Sequence, residues 1–173
     1  MATARSSLRQ RLSFPGNPDQ IITDVNHQLV LGIEDSGQFM TMFYLNIDTT
    51  KMQAQWVRAG HDPAIFYDPV ADSYEELSGS GIALGIDENW NYKEYRKTGL
   101  KSGQIIFLST DGIWEAFNLK GKMFGKERIY DIIRKNSSLS ADQIINILLT
   151  SVKSFQQAAQ LEDDITLVGI KMT

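Results

Sequence analysis

Hydrophobic and polar positions recur with two different periods along the chain, and the change of period divides it into segments. Near the start, Ala4, Leu8 and Leu12 fall at spacing four, with Arg5, Arg9 and Arg11 elsewhere on the wheel. This predicts a helix over 2–12 that stops before Pro15. A second helix is marked more fully: Asn17 can cap it, Pro18 suits the first helical position and Gln20 completes a capping-box spacing. Its apolar face is Ile21, Ile22, Val25 and Leu29, and Gly32 ends it. From Gln38 the period becomes strand-like. "QFMTMFYLNI", "MQAQWVRAG" and short apolar pieces around Ile65 and Leu77, separated by Asp, Gly and Pro, predict consecutive antiparallel strands. "QIIFLST" (104–110) and "ITLVGIKM" (165–172) are more continuous apolar runs, as expected of strands covered on both faces. Between those two the pattern is helical again, over 126–135 and 141–157. Ser140 with Gln143 makes a second capping box, and Ile144, Leu148, Val152 and Phe155 line one face. Helices bracketing a block of strands predict an α+β layered domain. No repeat or linker interrupts residues 1–173, so a single domain is expected.

Composition narrows the class of function. With 173 residues, 42% hydrophobic and 22% charged, the chain can bury a real core as one soluble globular domain. The absence of Cys excludes disulfides, thiolate zinc sites and thiol nucleophiles. A formal net charge of −4 argues against a nucleic-acid partner, and Arg5, Arg9 and Arg11 are too few to reverse it. No apolar run approaches the roughly 18 residues needed to span a bilayer, and no signal-peptide segment opens the sequence. No membrane insertion and a cytoplasmic location are the expectations.

Two acidic spots share one context. Asp111 follows an apolar strand, and Glu162, Asp163 and Asp164 immediately precede another. Asp111-Gly112 is a common turn dipeptide, which is the plainer explanation. The sharper one is a pair of strand ends holding carboxylates for a hard divalent ion such as Mg²⁺ or Mn²⁺, which needs neither His nor Cys. His61, in the Gly-His-Asp-Pro turn, fits a structural hydrogen-bonder better than a catalyst, and His27 is assigned no role. "SGSGIALG" (78–85) lacks the Lys-Ser/Thr and the following helix of a phosphate loop, so it is taken as a turn between strands. Ser109 and Thr110 have no His-acid partner in a known chain order and are set aside as nucleophiles.

In this order, "FMTMFYLNID", "RAGHDPAIFY", "GIALGI", "IIFLSTDGIWEAFN", "GKMFGKERI" and "EDDITLVGIK" resemble the SpoIIE-type branch of the metal-dependent, 2C-like Ser/Thr protein phosphatases. The resemblance covers nearly the whole chain. It implies a β-sandwich flanked by helices, with a two-metal Mn²⁺ or Mg²⁺ site at one end of the sheets. By motif, Asp111 (Thr-Asp-Gly) and Asp163 (first Asp of Asp-Asp-x-Thr) match metal ligands. Asp164, Gly112, Glu115 and His61 fall at neighbouring or supporting positions. The implied nucleophile is a metal-activated water. The implied substrate is phosphoserine or phosphothreonine on a regulatory protein, in bacterial members an anti-sigma-factor antagonist, and the implied setting is signal transduction.

The sequence also departs from that family. Its first metal-binding Asp and a glycine loop belong before the first long helix, whereas this chain starts inside that helix, and Asp19, Asp24, Glu34 and Asp35 do not match the missing ligands by motif. The expectation is a domain lacking its N-terminal strands, an incomplete binuclear site and little activity from this chain alone. Sheet edges exposed in that way would favour a homodimer. The competing expectation is a non-catalytic signalling or binding module with a degenerate metal site.

Overall fold

The computed structural model describes residues 2–32, 38–156 and 164–173. In chain order its elements are α1 (Ala2–Arg11), α2 (Pro18–Gly32), β1 (Met42–Asp48), β2 (Gln53–Ala59), β3 (Ala64–Asp68), β4 (Ser73–Leu77), β5 (Tyr95–Thr98), β6 (Ile105–Ser109), α3 (Lys126–Lys135), α4 (Ala141–Gln156) and β7 (Leu167–Lys171). A single 3₁₀ turn, Asp111–Ile113, follows β6. They divide into two compact units, Met1–Pro63 with Ser78–Leu100, and Ala64–Leu77 with Lys101–Thr173.

In the first unit a three-stranded antiparallel sheet has the order β1-β2-β5. The start of α2 follows from its sequence: Gln20 Oε1 accepts the Asn17 N–H at 3.2 Å, and the Ile21 N–H reaches the Asn17 carbonyl at 3.0 Å. Ile21, Ile22, Val25 and Leu29 are buried, and they cluster with Val57, Ala59, Leu84 and Tyr92. Of the stripe on α1 only Ala4 is buried, while Leu12 is exposed. What fastens α1 instead is Arg11, whose Nε donates to Asp24 on α2 at 2.6 Å. The glycine-rich 78–85 segment is a close backbone crossing. The Gly60 N–H donates to the Gly81 carbonyl at 3.0 Å, and a Cβ on Gly81 would lie 1.8 Å from the Arg58 oxygen.

In the second unit the antiparallel sheet has the order β4-β3-β6-β7. Ile65, Tyr67, Ile105 and Phe107 form one core with Ile129 and Ile133 of α3 and Ile144, Leu148 and Val152 of α4. The Ser140–Gln143 capping box closes both ways, Ser140 N–H to Gln143 Oε1 at 3.0 Å and Gln143 N–H to Ser140 Oγ at 3.3 Å. β6 lies inside its sheet, and Ile105, Ile106 and Phe107 are buried, so both of its faces are covered.

Two expectations change. The strands are not one consecutive antiparallel run: the chain changes sheets between β2 and β3, and β5 returns to pair with β2. β7 is not covered on both faces, because it ends its sheet and leaves Val168 47% exposed.

Candidate functional site

The end of β6 and the start of β7 are joined by hydrogen bonding that starts from Thr110. β6 and β7 pair through Ser109↔Leu167, and the ladder runs one step further when the Thr110 N–H donates to the Thr166 carbonyl at 3.1 Å. The Thr110 hydroxyl then bridges the two segments. It accepts the Thr166 N–H at 3.0 Å and donates to the Asp164 carbonyl at 3.1 Å. Asp111 is thereby fixed beside the segment that leads into β7.

The turn that presents Asp111 is defined by backbone. Thr110 is extended (φ −75°, ψ 161°), the chain then enters the 3₁₀ turn, and the Glu115 N–H closes on the Asp111 carbonyl at 3.0 Å. Gly112 and Ile113 are buried beneath it, while Asp111 and Glu115 are exposed. Gly112 does not have a left-handed backbone, so what its residue type contributes is the absence of a side chain in a buried turn. Asp111-Gly112 therefore forms a turn directly at the end of β6. Asp164 is exposed at the entry to β7; Asp163 and Glu162 lie outside the described residues.

His61 belongs to the other unit. Its Nδ1 pairs with Thr41 Oγ1 at 3.2 Å, and the Arg58 guanidinium donates to its carbonyl and, at 3.0 Å, to that of Gly79. These contacts tie the Gly-His-Asp-Pro turn to the glycine segment. Thr110 is the residue that sequence reasoning set aside. Its usable signal was a hydroxyl on a β-branched residue at a strand end, immediately before the acid, where it can bond to a neighbouring backbone.

The donors at this strand end are oxygens only, which suits Mg²⁺ or Mn²⁺ and not a thiolate- or imidazole-preferring ion. Among the described residues, no group of three or more His, Asp or Glu is placed to hold an ion.

The family model described as stage II sporulation protein E (SpoIIE) matches residues 1–173. The chain belongs to the SpoIIE family. Within it, the chain is 28% identical over 155 residues to "Phosphoserine phosphatase RsbU" of Bacillus subtilis, covering 90% of this chain and 45% of that protein. It therefore spans about half the length of this curated relative. Among solved structures it resembles the SiaA-PP2C domain of Pseudomonas aeruginosa, with a TM-score of 0.86 at 19% identity over 99% of this chain and 68% of that one. It also resembles RsbX in complex with magnesium, with a TM-score of 0.66 at 19% identity over 97% of this chain and 70% of that one. This SpoIIE-family chain has the PP2C-like fold, here α+β with two antiparallel sheets and four helices among the described residues. No helix among the described residues is long and apolar enough to cross a membrane.

Proposed function

We propose that this SpoIIE-family chain is a cytoplasmic, metal-dependent protein phosphatase domain that hydrolyses phosphoserine or phosphothreonine on a regulatory protein such as an anti-sigma-factor antagonist. The observation that carries the reading is the Thr110 bridge, which ties the residue before Asp111 to Asp164 and Thr166 at the entry to β7. Asp111 and Asp163 would hold Mn²⁺ or Mg²⁺, which would supply Lewis acidity to make water a usable nucleophile and positive charge to offset that on phosphoryl oxygens. Thr110 holds the two segments at one spacing. Gly112 lies buried in the turn, and Glu115 closes it on Asp111 through its backbone. Asp164 adds negative charge beside Asp163, and His61 supports the Gly-His-Asp-Pro turn of its own unit.

With only two carboxylates, Asp111 and Asp163, matched to ligands by motif, the ion should be held weakly, with a dissociation constant on the order of 10⁻⁴–10⁻³ M. Little turnover is expected at micromolar Mn²⁺. At millimolar Mn²⁺ a phosphoserine peptide should be hydrolysed, and Asp111→Asn should reduce the rate by about 100-fold or more. If calorimetry finds no ion binding at any Mn²⁺ concentration and no phosphate is released, the non-catalytic module replaces this reading.

A further inference from the structure

We infer that the hairpin spanning residues 116–124 is the docking element for the phosphorylated protein substrate, an inference that rests on the phosphatase reading. The hairpin grows directly out of the Asp111 turn. Beyond the Glu115–Asp111 closure, the Phe124 N–H donates to the Ala116 carbonyl at 2.8 Å and the Gly125 N–H to the Trp114 carbonyl at 2.9 Å. A bridge pairs Phe117 with Met123. At the tip, Asn118 Oδ1 accepts the backbone N–H of both Lys120 and Lys122 at 3.0 Å, and Gly121, at φ +69°, makes the bend. The hairpin is thus preorganised, which lowers the ordering cost of binding a partner.

Its surface combines exposed apolar side chains with lysines. Phe117, Leu119 and Met123 are 37%, 65% and 41% exposed, and Lys120 and Lys122 stand exposed among them. No acid occurs between Glu115 and Glu127, although the whole chain carries a net charge of −4. Neither Lys120 nor Lys122 has an ion pair with a described residue. An apolar anchor flanked by lysines complements an acidic phosphoprotein: the phosphoserine itself carries nearly two negative charges at neutral pH, and a basic patch draws such a partner past an otherwise repelling surface. The occupant is therefore a phosphoserine segment with acidic flanks and one apolar side chain.

The test uses the full chain in metal-free buffer and a fluorescent phosphoserine peptide with Asp, Glu and Leu flanks, followed by anisotropy. Binding should weaken about tenfold in the Lys120→Glu/Lys122→Glu double variant and in Leu119→Ser, and should fall with added salt. Mn²⁺-dependent hydrolysis of p-nitrophenyl phosphate should be unchanged in both. Equal affinity of parent and variants, or equal affinity of the parent for a Lys-flanked peptide, would sink the docking role alone. Failure of the parent to hydrolyse p-nitrophenyl phosphate at millimolar Mn²⁺ would instead remove the phosphatase reading beneath it.

Discussion

Thr110 shows how one hydroxyl can decide the spacing of a site. Thr110→Val keeps the shape and the β-branch but leaves the Thr166 N–H without its acceptor, and should cost about 1 kcal/mol in urea unfolding. If the bridge positions the carboxylates, Mn²⁺ affinity measured by calorimetry should also fall by about 10- to 100-fold. Unchanged affinity would make Thr110 a purely structural residue. Asn26 makes the same kind of argument in the other unit. Fully buried on α2, it donates to the Asp87 carbonyl at 2.8 Å and accepts the Gly85 N–H at 2.9 Å. Asn26→Leu should destabilise the chain by about 1–3 kcal/mol, because both backbone groups lose their partner. Tyr92 gives a pH signature. Burial, with a smaller contribution from the charge of Asp87, pushes its hydroxyl up to about 12, and it donates to the Ile82 carbonyl at 3.0 Å. The folded state therefore holds this proton more tightly than the unfolded chain, whose Tyr ionises near pH 10. Its contribution is complete below that pH and is lost as pH rises towards 12. Tyr92→Phe should flatten the alkaline fall in melting temperature across that window. The position of Asp111 just past a strand was legible from the sequence because an apolar run ended on it. Thr110 and Asn26 were not, since their partners lie 54 and more residues away.

At the scale of elements, the helices were written locally and the strands only partly. Ser140 and Gln143 are three residues apart, so their reciprocal bonds follow from spacing alone. Ser140→Ala should lower stability by about 1 kcal/mol in thermal or chemical unfolding. α3 and α4 were predictable for a similar reason, as each shows a complete apolar face. β5 escaped notice because "YRKT" has no apolar alternation, and its place beside β2 depends on a partner about forty residues earlier. β6 and β7 look alike as sequences, yet one is interior and the other ends the sheet. An apolar run reports what a strand could bury, while its order in the sheet decides what it does bury.

For the whole molecule, the α+β class and the family resemblance were readable because six motifs occur in one order. The resemblance also implied a β-sandwich, but which strands share a sheet was not readable, because strand pairing is a long-range choice that no local pattern records. The strands that end those sheets, β1 and β5 in one and β4 and β7 in the other, motivate the expectation of self-association. Light scattering at high concentration should then give a mass above the 19.5 kDa of one chain, and a monomer at every concentration would remove it. The Thr110 bridge also sets a timetable. Thr110 and Thr166 are separated by 56 positions, and a ribosome adds about 5–20 residues per second. Asp111 is therefore made on the order of several seconds before the strand that completes its surroundings. During that interval β6 has no β7 to pair with, and the Thr110 hydroxyl has neither Asp164 nor Thr166 to bond. The Thr110–Thr166 pairing can therefore form only once β7 has been made and docks on β6.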